Sequence, residues 1–255
     1  MRDHRPDTDE FYVGYLDSMP ASHARRVRSV VMLIVLLAVA AGAAAVGFSG
    51  SPGDGRWDQL PRDYTGTLIE TPYPMLVMAE GGQTRVALLV DSGKFGAQQR
   101  VAGLNGESVT VHGTSLHREG PLMVEIGESA DAVRVSATAS AASVALVNEG
   151  RKTCRGEVVD PKCFFGAMKP GAGKTHKACA ILCISGGIPP MLADGPTSTH
   201  SGSAYSYCLL TDASGKPVSE VIIPLVGLKV EITGEVQRLG DLEILRVDPA
   251  DVHPL

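Results

Sequence analysis

The residues best equipped for chemistry lie in one stretch: Cys163, His176, Cys179 and Cys183. Thiolate sulfur and imidazole nitrogen are the donors that borderline and soft metals take, so a Cys3His set suits zinc or Cu(I). The spacing His-x-x-Cys-x-x-x-Cys puts His176, Cys179 and Cys183 on one face of a helix, because residues three and four apart lie above one another. The same thiols permit a second chemistry. In an oxidising compartment Cys163 would bridge to Cys179 or Cys183, and closing so short a loop stabilises by about 3 kcal/mol. The CxxC of a zinc finger is missing, and Met168 and Met191 are the nearby thioethers that a copper site would add. Cys154 and Cys208 are further disulfide candidates. With five cysteines in the chain, bridging leaves at least one thiol over or paired with another chain. Disulfide and metal both stay open at this point, and the compartment decides between them.

Other constellations are weaker. The sequence has no HExxH, no GxSxG, no EF-hand loop and no GxGxxG following a strand. Gly171-Ala172-Gly173-Lys174-Thr175 looks like the end of a phosphate-binding loop, but Met168 stands where that motif needs glycine and Pro170 interrupts it, which excludes the reading. His112 and His117 read as surface histidines. His200, among Ser198, Ser201 and Ser203, has nothing to orient its ring for nucleophilic catalysis. Glu157 and Asp160 read as the solvated edge of a strand. No catalytic residue is assigned, and the chain is expected to be non-enzymatic.

Positioning the four candidate ligands needs a strand, a loop and a helix. Thr175 is a suitable N-cap, the run from His176 to Ile184 has no breaker, and Gly186-Gly187 followed by Pro189-Pro190 ends it. Cys163 follows the apolar strand Glu157-Val158-Val159, and the Gly- and Pro-rich loop from Phe164 to Lys174 is flexible enough to bring it over the helix face.

The rest of the chain frames this stretch. A net charge of −5, with no basic patch and few aromatics, argues against nucleic acid as a partner. Residues 1–29 form a polar tail with one apolar patch, Phe11 to Leu16, a candidate docking segment. Val30 to Phe48 is an uncharged apolar run of the length that crosses a hydrocarbon core, and Arg25, Arg26 and Arg28 precede it. The positive-inside rule then predicts an uncleaved anchor in a bacterial inner membrane, with the N-terminus cytoplasmic and the bulk periplasmic. A cleaved signal peptide ending near Ala43-Ala44-Ala45 is the competing expectation. Residues 49–61 read as a linker, and from there the period is that of strands.

Two segments repeat. Leu104-Asn105-Gly106-Glu107-Ser108-Val109-Thr110-Val111-His112-Gly113 lies over Leu225-Val226-Gly227-Leu228-Lys229-Val230-Glu231-Ile232-Thr233-Gly234, each followed by a glycine turn and an apolar strand. A glycine inside an alternating strand is how a five-stranded OB-type barrel coils a long strand at its corner. The expected fold is therefore mainly β: a transmembrane helix, then two small OB-like β-barrel modules at residues 62–147 and 148–255. The second carries the inserted Cys/His helix.

From about residue 155 to 248 the order of features is more specific. A first strand ending in Cys163, then His176-x-x-Cys179-x-x-x-Cys183, Gly186-Gly187, a strand and a final glycine-bearing hairpin resemble small secreted bacterial domains of uncharacterised function. The resemblance implies an exported OB-like domain with a Cys/His helix. Function is expected to be that of a membrane-anchored periplasmic accessory subunit. Its partners would be other subunits of a membrane or redox complex, reached through the transmembrane helix, the tail or the barrel faces. The alternative is a zinc or copper or thiol–disulfide module built on Cys163, His176, Cys179 and Cys183. Apart from zinc or copper, no cofactor is expected.

Overall fold

A computed structural model of the chain describes residues 19–48, 55–136, 145–195 and 206–255. The apolar patch at Phe11 to Leu16, most of the connection at 136–147, and His200 with its serines lie outside the described residues. The chain divides into two compact units, Met1–Ser51 and Pro52–Leu255.

In the first unit, helix α1 (Ala21–Phe48) starts well before the apolar run and carries Arg25, Arg26 and Arg28 in its opening turns. Its segment His23–Gly47, with a mean hydropathy of 2.7 in its most apolar window, is long and apolar enough to cross a membrane. The large side chains from Val27 to Val46 are exposed along its length, so this is not a helix buried in a soluble core.

The second unit is mainly β and contains two closed five-stranded barrels. After a short strand β1 (Arg56–Trp57), the first barrel is built from β2 (Arg62–Ile69), β3 (Met75–Glu80), β4 (Gln83–Val90), β5 (Ser108–His117) and β6 (Leu122–Ile126). A short helix, α2 (Gln98–Val101), lies between β4 and β5, and β7 (Val133–Val135) pairs with β5. Neighbours run β2-β3-β4-β6-β5 and back to β2. The β4–β6 pair is parallel and the others are antiparallel.

The second barrel repeats this connectivity strand for strand. Its members are β8 (Leu146–Val159), β9 (Met191–Asp194), β10 (Ser206–Asp212), β11 (Lys229–Leu239) and β12 (Leu242–Val247), with the β10–β12 pair parallel. Helix α3 (Lys177–Ser185) lies between its first two strands, α4 (Ser219–Ile222) between its third and fourth, and β13 (Val252–Pro254) pairs with β11. The first strand begins at Leu146, well before the Gly156 start that the sequence pattern gives.

The repeated mid-strand glycine has the expected job. A Cβ on Gly113 would sit 2.2 Å from the Glu125 carbonyl oxygen, and one on Gly234 would sit 2.0 Å from that of Arg246. At both positions the fifth strand's backbone comes close enough to exclude any side chain, which lets the long fourth strand coil. The repeat also reaches beyond these segments. Pro74-Met75-Leu76 matches Pro190-Met191-Leu192, and the Pro74 and Pro190 carbonyls accept from Leu89 and Leu210 N–H at 2.9 and 3.0 Å.

Three apolar clusters explain the strand sequences. Leu68, Leu76, Leu89, Val109, Val111 and Val124 fill the first barrel, while Val158, Leu192, Leu210, Val230, Ile232 and Leu245 fill the second. The third cluster joins Met75, Val77, Val86, Leu88 and Met123 of the first barrel to Phe165, Met191, Leu209, Leu242 and Ile244 of the second. Strands β3 and β4 are apolar on both faces because one face fills their own barrel and the other packs on its neighbour. Burying each large side chain here contributes about 1.5–3 kcal/mol.

Candidate functional site

Cys163 begins a short π-helical turn (Cys163–Ala167), closed by the Met168 N–H on its carbonyl, just past the end of β8. The loop then returns over it: Gly171 passes so close that a Cβ there would sit 2.4 Å from the Cys163 carbonyl oxygen. Helix α3 places Ala180 and Ile184 in the core of the second barrel and turns Cys179 and Cys183 toward the cluster between the barrels. The helix starts one residue later than expected, with His176 rather than Thr175 as its N-cap and no side-chain cap bond. The His176 ring is buried, 3.5 Å from Asp160 through Nε2.

The four sequence candidates are thereby brought together. The sulfurs of Cys163, Cys179 and Cys183 lie within 4.8 Å of one another, and so do the ligand atoms of Asp160, Cys163 and His176. All five cysteines of the chain are free thiols. Met168 is exposed and Met191 is buried in the inter-barrel cluster, and neither belongs to these groups.

Asp160 corrects the sequence reading. It is not on a solvated edge; its relative exposure is 0%. One carboxylate oxygen accepts the Cys163 backbone N–H at 3.2 Å. The other, Oδ2, faces His176 Nε2 at 3.5 Å, and the two atoms make no hydrogen bond beyond this contact. A buried carboxylate and imidazole that meet only at this distance, beside three thiols, are under-satisfied. The Glu157 carboxylate is likewise engaged, accepting the Gly173 N–H.

The first barrel contributes a cation that sequence reasoning missed. Lys94, in the loop after β4, donates from Nζ to Cys179 Sγ at 2.7 Å and to Cys183 Sγ at 3.7 Å. Its pKa is raised, first by the bond to Cys179. Buried Lys162, next to Cys163, holds that loop by donating to the Asp91 and Gly93 carbonyls at 2.7 Å and pairing with Glu125. Gly96 N–H donates to the Gly186 carbonyl at 2.9 Å at the end of α3. The hydrogen bond between Cys163 and Cys183 pushes the Cys163 thiol up, with burial and Asp160 adding to it, and draws the Cys183 thiol down.

This arrangement fits a metal. At metal–sulfur distances of about 2.3 Å, ligand atoms in a tetrahedral site stand about 3.8 Å apart. Three sulfurs within 4.8 Å need only a small inward movement to reach that. Asp160 and His176 meet Cys163 in a second group, and Lys94 stands beside Cys179, where it would offset thiolate charge.

The remaining candidates stand elsewhere. Cys154 and Cys208 meet in the second barrel with their sulfurs 4.0 Å apart. His112 lies on the surface of β5 with Nδ1 2.7 Å from Asp63, and His117 Nε2 is 3.8 Å from Asp58. An apolar groove of about 360 Å3, bordered by Ile69, Pro72, Met75, Leu146 and Leu239, has no titratable group in its lining. Comparison of the chain with protein-family models, curated proteins and solved structures returns no match.

Proposed function

We propose that the protein is a membrane-anchored, exported metal-binding module that takes one zinc or Cu(I) ion on Cys163, Cys179 and Cys183. His176 or Asp160 is the fourth ligand, the two remaining close enough for one to orient the other as carboxylates and imidazoles do around zinc. The observation that carries this reading is the three-sulfur cluster, which shares Cys163 with a buried Asp160–His176 pair whose facing atoms, Oδ2 and Nε2, stand 3.5 Å apart. The barrels are read as OB-like, supported by the 1-2-3-5-4-1 strand order with its parallel third and fifth strands. They act as a rigid frame, one holding the ligands and the other supplying Lys94.

The test is metal analysis of the full chain, exported to a bacterial periplasm and purified in mild detergent. One equivalent of zinc or copper is expected in the wild type and in Thr175→Ala, with loss in Cys179→Ser and Cys183→Ser. Cobalt added to the chelated protein should give thiolate charge-transfer absorption. A metal-free protein with Cys163 bridged to Cys179 or Cys183 overturns the reading in favour of a structural disulfide.

A second reading concerns the setting of this site. An apolar helix whose side chains are exposed along its length supports an anchor, and with it a role as accessory subunit of a membrane complex. Purification in mild detergent should then recover stoichiometric partners, and a lone monomer counts against it.

A further inference from the structure

Cys154 and Cys208 take no part in the cluster around Cys163. Cys154 is on β8 and Cys208 on β10, and both pack with the core of the second barrel. Their sulfurs are in van der Waals contact at 4.0 Å, and bridging them to the about 2 Å of a disulfide needs the two side chains to move together. The two thiols are not equivalent. Cys154 is partly exposed, whereas Cys208 is 6% exposed. Cys208 is within hydrogen-bonding range of both Cys154 Sγ and Glu243 Oε2, the latter at 3.6 Å. Glu243 is fixed in turn by Arg238 Nη2 at 2.7 Å.

We propose that Cys154 and Cys208 form a second thiol site, a redox pair that closes to a disulfide inside the second barrel on meeting a disulfide oxidant. The inference is independent of the metal reading. It accounts for the odd number of cysteines: two pair with each other, and three remain as a cluster of ligands.

The roles follow from access. Cys154, the exposed member, is the attacking sulfur; the hydrogen bond from Cys208 holds its pKa down to about 7, which supplies thiolate at neutral pH. Cys208, whose pKa is raised by the same bond and by burial, keeps its proton and is the resolving thiol. Cys154 thiolate attacks one sulfur of an oxidant RSSR′, forming Cys154–S–S–R and releasing R′S−. Cys208 gives its proton to the Glu243 carboxylate and attacks the Cys154 sulfur, which expels RS−. Two electrons pass from the protein to the oxidant, and the proton held on Glu243, with one from solvent, converts the released thiolates to RSH and R′SH.

The experiment exposes the full chain, reduced and in mild detergent, to glutathione disulfide, then alkylates free thiols and maps the peptides by mass spectrometry. The wild type should yield a Cys154–Cys208 linked peptide, with or without a chelator present. Cys208→Ser should accumulate glutathione on Cys154. Cys154→Ser should leave Cys208 modified at least ten-fold more slowly. Alkylation of both Cys154 and Cys208 in glutathione-treated wild type, or a bridge from either to Cys163, Cys179 or Cys183, overturns the proposal; neither readout depends on the variants folding. Metal content of the Cys154→Ser/Cys208→Ser protein reads the other site separately, so failure of one assignment is distinguishable from failure of the other.

Discussion

Tyr73 donates its phenolic hydrogen to the Leu210 carbonyl at 3.2 Å and accepts the Val218 N–H at 3.1 Å. It comes from the first barrel and its partners come from the second, so one hydroxyl satisfies two backbone groups across the seam. Burial pushes its pKa up to about 12, and it stays a neutral donor throughout the physiological range. Tyr73→Phe should destabilise by about 2 kcal/mol, because the ring still packs but a buried carbonyl and a buried N–H lose their partner. The measurement is the urea midpoint, which should fall with the slope unchanged. At this scale the helical candidates were legible, since His176, Cys179 and Cys183 are related by local spacing. Asp160 was not: nothing in Val158-Val159-Asp160-Pro161 tells a buried carboxylate from a strand end at the surface. Lys94 is still further from view. It meets Cys179 across 85 positions of chain, and no local pattern encodes a contact of that range.

Among the elements, the long fourth strands β5 and β11 carry the geometry of the barrels. Ala at Gly113 or Gly234 would force its Cβ against a backbone carbonyl that has no freedom to rotate away. Each substitution should cost on the order of 3 kcal/mol, whereas Ala at Gly47, where a Cβ meets nothing within 4 Å, should leave barrel stability unchanged. Thermal melts of the three variants check this. The fourth and fifth strands were readable because alternation and a misplaced glycine are both written into a few adjacent residues. The early half of β8 was harder. Leu146 to Arg155 is largely exposed and polar, and it is a strand because β11 pairs with it over its length, not because its own sequence alternates. The close kinship of the two second strands was also missed, since Met75–Glu80 and Met191–Asp194 are too short to stand out by themselves.

Across the whole second unit, the apolar cluster shared by the two barrels makes them one cooperative body. Neither can separate without exposing Met75, Leu88, Met123, Met191 and Ile244 together. Trp57, the only tryptophan, packs against this shared cluster and bonds Thr114 at 3.0 Å, so its fluorescence reports the seam, while circular dichroism reports the strands of both barrels. The two signals should follow a single coincident denaturation curve. Separated midpoints would mean that the barrels unfold independently.

The contacts across the seam come in matched pairs. The loop after the third strand of each barrel reaches the segment before the second strand of the other: Gly96 bonds Gly186, and Val218 bonds Tyr73. Such reciprocity is the signature of an isologous contact between identical subunits, here written into a single polypeptide. In this chain one half bears the thiols and the other walls them, lending a lysine from across the seam.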